Sequence, residues 1–203
     1  MGREMNLAET AAHYDWLIDH DNDPFRDPPS LKEYMDKWDG NLFIDSMQLT
    51  PAKKVLEIGV GTGRLAAKAA PFCFKLSGID ISPKTIHRAR ENLSGFQNVE
   101  LICAGFLEHP FAETFDVIYS SLTLMHFADK GRFICKAGEL LNENGVFCLS
   151  IDKSLNDTID TGDHQLRIYP DKADEIREYI QLSSMYLSSQ FETDFAHIFV
   201  CSK

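Results

Sequence analysis

Beyond Pro51 the chain alternates short β-branched or aliphatic runs with helical patterns, the sequence sign of βαβ units built on a parallel sheet. The runs are KVLEIG at 54–59, KLSGID at 75–80, VELICA at 99–104, FDVIYS at 115–120 and GVFCLSID at 145–152. Helical segments at 64–70, 83–93 and 130–141 lie between them, so an α/β fold is predicted. Ser82 as N-cap and Pro83 at the first helical position open the second of these helices, and Asn144-Gly145 closes the third. After Asp152 come a polar stretch to Gly162, a short strand at 165–169 and a helix from about Asp171 to Ile180. Two final runs, 185–191 and 195–201, are joined by only Glu192, Thr193 and Asp194. That link cannot hold a parallel crossover, so the pair is an antiparallel hairpin.

Ahead of the first strand, Leu7, Ala11, Tyr14, Leu17 and Ile18 recur at helical spacing and predict an amphipathic helix from Asn6 to about Asp19. Residues 19–30 are dense in turn formers, with two adjacent prolines, and predict an exposed or mobile connection. Ser30 and Glu33 have the spacing of a capping box, which places a second helix start at Ser30, interrupted at Gly40 before 43–49. A single domain of 203 residues is expected, with a helical extension at 1–50 on an α/β core at 51–203.

Twenty Lys+Arg against 31 Asp+Glu give a net charge of −11. The sign is wrong for gripping a polyanion, so neither nucleic acid nor an anionic membrane surface is an expected partner. No window holds the roughly 18 apolar residues of a membrane span, and the first twenty residues lack the apolar stretch of a signal peptide. Five cysteines, far apart and without a C-x-x-C pair, suit neither a disulfide framework nor a zinc site; no metal is expected, and the cytoplasm is the expected location. Oligomeric state is left open.

The most informative stretch is Val55-Leu56-Glu57-Ile58-Gly59-Val60-Gly61-Thr62-Gly63-Arg64, an apolar strand entering a glycine-rich turn that opens a helix. Ligands bind at this edge of open α/β sheets. Glycines let the backbone approach a ligand, and the amides at the helix start attract an anionic group. A dinucleotide fingerprint, G-x-G-x-x-G, needs its third glycine at position 64, where this chain has Arg64. An NAD(P)-dependent oxidoreductase is therefore disfavoured, and no P-loop occurs. Glu57 places a carboxylate where it would repel a diphosphate and attract an ammonium group. Asp80, at the end of the second strand, has the place of a carboxylate that accepts hydrogen bonds from both hydroxyls of a ribose.

With E-x-G-x-G-x-G after the first strand, an acid after the second and a terminal hairpin, the chain resembles the class I S-adenosylmethionine-dependent methyltransferases from about Lys53 onward. The resemblance implies a Rossmann-like, mostly parallel seven-stranded sheet whose last strand inserts antiparallel. It implies S-adenosylmethionine as cofactor and S-adenosylhomocysteine as product. Glu57 would bind the methionine amino group, Gly59, Val60, Gly61 and Gly63 would line the cofactor, Asp80 would hold the ribose and Ile81 would pack on adenine. Relatives often carry G-D-hydrophobic after the third strand, where this chain has Ala104-Gly105-Phe106. The adenine contact is then absent, made by backbone atoms, or supplied by Glu108, while Phe106 could still lie beside the base.

Methyl transfer from a sulfonium is an in-line displacement on an activated donor, so such an enzyme mostly positions the acceptor and, where needed, removes its proton. Ser120, Ser121 and His126 follow the fourth strand, at the edge where the methyl should point. His126 is either the candidate base, by its near-neutral unperturbed pKa, or a residue that packs under the next helix. The chain lacks [DN]-P-P-[FY] after this strand and any Pro-Cys dipeptide, which disfavours planar amino groups of adenine or glutamine and the cytosine ring as acceptors. A core-like helical position is assigned to Cys135. The N-terminal extension is expected to form the acceptor pocket or a lid, with Tyr14 near the cofactor and Trp38 and Ser121 near the acceptor; alternatively, Tyr14 and Trp38 are packing anchors. The acidic residues at 19–27 either favour a cationic acceptor or form a solvated loop. The reading is methyl transfer to oxygen, nitrogen or carbon of a small molecule, against a non-catalytic module that binds the same cofactor.

Overall fold

The computed structural model of the protein describes residues 7–160 and 165–203. Asn6 and Gly162, the expected limits of the first helix and of the polar stretch, lie outside them.

The N-terminal segment forms α1 (Leu7–Asp19), α2 (Pro29–Met35) and α3 (Gly40–Ser46). The core then runs β1 (Lys54–Ile58), α4 (Arg64–Ala69), β2 (Lys75–Asp80), α5 (Pro83–Asn92), β3 (Val99–Cys103), β4 (Phe115–Ser121), α6 (Lys130–Leu140) and β5 (Leu141–Asp152). It ends with β6 (Thr158–Asp160), β7 (Gln165–Arg167), α7 (Ala173–Leu182), β8 (Tyr186–Glu192) and β9 (Ala196–Ser202). Seven strands make one sheet in the order β3-β2-β1-β4-β5-β9-β8, parallel from β3 to β5, with β9 inserted antiparallel between β5 and β8. The α/β class, the five parallel strands and the terminal hairpin all match the sequence reading.

Alternation along the strands divides the core between the two faces of the sheet. Val55, Leu76, Val117 and Tyr119 pack with Phe43 and Met47 of the α3 segment, whereas Leu56, Ile118, Phe147 and Phe199 pack with Phe133 and Ile134 of α6 and Ile176 and Ile180 of α7. The N-terminal extension therefore contributes to the main core. Strand order reverses between β1 and β4, so the connections leaving their carboxyl ends go to opposite sides and open a crevice there.

Four details differ from expectation. Ser30 does not cap α2: Pro28 is the N-cap residue and Pro29 occupies the first turn, where its fixed φ suits helix entry, which leaves Ser30 inside the helix and exposed. The connection at 19–30 is anchored rather than free. Asp23 is buried and accepts hydrogen bonds from Phe25 N, Asn92 Nδ2 and Arg88 Nη1, which hold its carboxyl below the usual range despite burial. That also removes it as an acceptor-facing charge. Residues 158–160 and 165–167 pair as a small antiparallel ribbon, of which only the second strand was predicted. Cys135 is half-buried instead of sitting in the core.

Candidate active site

The turn after β1 takes its shape from left-handed backbone at Gly59 (φ +78°), Gly61 (+54°) and Gly63 (+95°). The three glycines serve different ends. A Cβ on Gly59 would lie 2.0 Å from Thr123 Oγ1, and one on Gly63 would lie 2.7 Å from Leu93, so both admit protein packing. A Cβ on Gly61 would meet nothing within 4 Å. Its bare face looks into a cavity of about 260 Å³ at the carboxyl edge of the sheet.

Asp80 stands on the wall of that cavity. Gly61 N donates to its Oδ2 at 3.1 Å and Ser82 N to its Oδ1 at 3.0 Å, while burial raises its pKa. Carboxylates accept up to four hydrogen bonds, so acceptor capacity remains beyond these two amides. Gly59, Ile81, Gly105 and Phe106 also reach the wall, and Phe106 is anchored behind it by ring contacts with Phe133 and Phe111. A Cβ on Gly105 would lie 2.6 Å from Glu108 Oε2, so the Glu108 carboxylate lies beside the position that relatives fill with an acid.

Other expected cofactor residues sit behind the wall. Val60 packs against Gly78, and Gly63 against Leu93. Ser120 is buried with its hydroxyl donating to Ile58 O at 2.9 Å. Glu57 is buried too, with the Tyr119 hydroxyl donating to its Oε2 at 2.7 Å. Desolvation pushes its pKa up to about 8, against the opposing pull of Tyr119 and Arg64. Its chain neighbours Ile58 and Gly59 do line the cavity.

The far wall comes from the segment after β4 and from the N-terminal helices. Leu122 has φ +54°, a conformation that costs a branched residue about 1–3 kcal/mol and is held only where the surroundings over-determine it. It lines both the first cavity and a second of about 620 Å³. Tyr14 of α1 lines both as well, and its hydroxyl lies 2.7 Å from His126 Nε2 with the rings edge to face. Burial lowers the His126 pKa to about 4 and raises that of Tyr14, so the pair is neutral at physiological pH. His126 Nδ1 is buried without a partner among the described residues.

Charge locks this cover to the sheet. Asp39 caps α3 by accepting from Gly40 N, and its carboxylate, without exposed side-chain surface, also receives Arg64 Nη1 at 3.1 Å and Ser121 Oγ at 3.0 Å. Arg64 further pairs with Asp36. On the other flank Asp15 accepts from Ser82 Oγ at 2.6 Å and from Lys84 N at 3.0 Å, docking α1 on the N-terminus of α5. Ser121 thus lines the first cavity, while Trp38 lines the second, its ring tilted against Phe195 and its carbonyl accepting from Ser150. Sequence reasoning missed Asp39, Tyr119, Thr123 and the cover role of Arg64. Only Asp39, a capping-type residue before Gly40, carried a local signal.

A family model described as a methyltransferase domain matches residues 49–181. The chain is 25% identical over 174 residues to an uncharacterized methyltransferase of Alkaliphilus oremlandii, covering 84% of this chain and 76% of that one. It spans about half or less of several other curated relatives. Among solved structures, the N-methyltransferase NodS of Bradyrhizobium japonicum, in complex with S-adenosylhomocysteine, superposes with a TM-score of 0.70 at 16% identity, over 97% of this chain and 98% of that one. The [4+2]-cyclase SpnF superposes with a TM-score of 0.76 at 14% identity, over 98% and 97%. These likenesses at low identity concern the fold.

Proposed function

Because the chain belongs to the class I S-adenosylmethionine-dependent methyltransferase superfamily, we propose that it transfers a methyl group to a small molecule held between the sheet edge and the N-terminal helices. The observation that carries this reading is the Asp80 carboxylate on the cavity wall beside Gly61, whose missing Cβ leaves open space. A buried acceptor next to a bare turn suits a ribose. In this reading Asp80 receives the ribose hydroxyls, Gly59 and Gly61 let the cofactor's chain pass, Ile81 and Phe106 flank the adenine, and Glu57 takes the ammonium. Glu108, against Gly105, supplies the acid missing from the third-strand loop. The cofactor, when bound, supplies an electrophilic methyl on a sulfonium.

The chain's own residues then orient and enclose. Tyr14 and Leu122, common to both cavities, set the line between donor and acceptor, and α1 and α2 exclude water. His126 is too weak a base, with its pKa near 4, to draw a proton fully away at neutral pH; it positions the Tyr14 hydroxyl.

Calorimetric titration with S-adenosylhomocysteine tests the reading. Micromolar binding is expected, weakened about 10- to 100-fold in Asp80→Ala, the equivalent of roughly 1.5–3 kcal/mol for hydrogen bonds to a charged group. NADH should give no heat. Absence of adenosyl binding would overturn the assignment.

A further inference from the structure

The second cavity differs chemically from the first. Its walls carry Tyr14, Tyr34 and Trp38 together with Asp152, Asp160 and Asp171, and no Lys, Arg or His lines it among the described residues. Asp171 is neutralised by the buried Lys130, which also donates to Tyr169 O and Leu124 O. Among the described residues Asp152 has no basic partner: its one described hydrogen bond is accepted from Ser154 N at 2.7 Å. Strand alternation places Asp152 on the same face of β5 as Ser150, whose hydroxyl donates to Trp38 O, so carboxylate and indole share one side of the sheet. The ribbon β6–β7 covers the space, with Leu166 and Ile168 packed on Met125 near Tyr14 and Leu122.

We propose that this cavity selects an amine, carried on an aromatic or aliphatic group, as the methyl acceptor, with Asp152 as the specificity-determining carboxylate and Trp38, Tyr34 and Tyr14 as the faces around its alkyl and ammonium parts. The inference rests on the methyltransferase reading above.

Aromatic faces and a carboxylate together attract a cation and repel a carboxylate, phenolate or phosphate. The same charge favours the reaction. In amine methylation the bound ammonium first loses a proton to solvent, and the freed nitrogen lone pair forms the new N–C bond while the C–S bond breaks and its electron pair goes to sulfur. Sulfonium becomes thioether, and nitrogen regains the positive charge. Positive charge therefore moves toward Asp152 as the transition state forms, and a carboxylate placed ahead of it stabilises that movement. Transfer to an anionic oxygen destroys negative charge on the acceptor side, and the same carboxylate would oppose substrate entry.

The test is calorimetry with phenethylamine and hexylamine against the matched probes 2-phenylethanol, 3-phenylpropionate and hexanol, with and without saturating S-adenosylhomocysteine. At least one amine is expected to bind ten-fold or more tighter than its neutral counterpart, with the carboxylate weakest. Asp152→Asn, which keeps an oxygen for Ser154 N, should erase most of that preference and leave S-adenosylhomocysteine affinity unchanged, which also certifies the fold. Asp160→Asn is the second variant and should reduce the preference less. If no amine outbinds its counterpart in either condition, or if Asp152→Asn leaves the preference intact, the proposal is overturned. Failure of S-adenosylhomocysteine to bind would instead strike the cofactor reading, and the amine arm is scored separately from it.

Discussion

The floor of the site and its cover are built by different means. The floor, from Ile58 to Gly63 with Asp80, is made of backbone: left-handed glycines, strand ends and amides donating to one carboxylate. The cover, from α1 to α3, is made of side chains fixed by carboxylates: Asp39 on Arg64 and Ser121, and Asp15 on Ser82 and Lys84. A backbone-built wall demands particular residues at particular spacings. A side-chain-built wall needs only complementary partners, which many sequences can supply.

The sharpest way to break this contrast is to remove one ion from the cover. Asp39→Ala leaves Arg64 buried with only the longer Asp36 contact, and urea unfolding should report a loss of about 3 kcal/mol or more. A loss below 1 kcal/mol would mean the cover is not charge-locked. Next come the two glycines of the floor. Gly59→Ala forces a Cβ into Thr123 at positive φ and should cost about 3 kcal/mol of stability. Gly61→Ala, with open space around it, should cost only about 1 kcal/mol while weakening S-adenosylhomocysteine at least ten-fold, roughly the equivalent of 1.4 kcal/mol. Equal stability losses in the two variants would erase the distinction drawn between them.

Glu57 supplies a finer test. With a pKa near 8 it is mostly protonated at pH 7, and an ammonium beside it favours the carboxylate, so binding should release a proton. S-adenosylhomocysteine affinity should then rise up to about ten-fold per pH unit until pH 8 and level off above it. 5′-Methylthioadenosine, which lacks the amino group, should show no such slope; parallel profiles would confine Glu57 to its contact with Tyr119. The smallest effect is expected at Tyr14→Phe, about 1 kcal/mol in unfolding. The His126 imidazole signals in that variant should still titrate well below neutrality, because burial is the first cause of its shift.

The same contrast explains what could be read in the sequence. Strand periodicity and the spacing of Glu57, the glycines and Asp80 led to the α/β class, the five parallel strands, the terminal hairpin and the glycine turn at the sheet edge, since each depends on local backbone geometry. Depth was less accessible: Ser120 lies near the end of the right strand, yet its hydroxyl is buried on Ile58 O. Ser30 misled because the Pro28-Pro29 pair sets the helix start ahead of it. Arg64 was read only as the wrong residue for a dinucleotide, since its partner Asp39 lies 25 residues away and no periodicity joins the two.

Tyr14 and Leu122 line both chambers at once, while Asp39, behind them, holds Ser121 on the wall of the first, follows Trp38 on the wall of the second, and grips Arg64 just beyond the glycine turn. Two chambers that share a wall can be filled as thermodynamic partners wherever a ligand in one shifts that wall. Whatever factor a ligand in one chamber applies to affinity in the other must be returned unchanged when the order of addition is reversed.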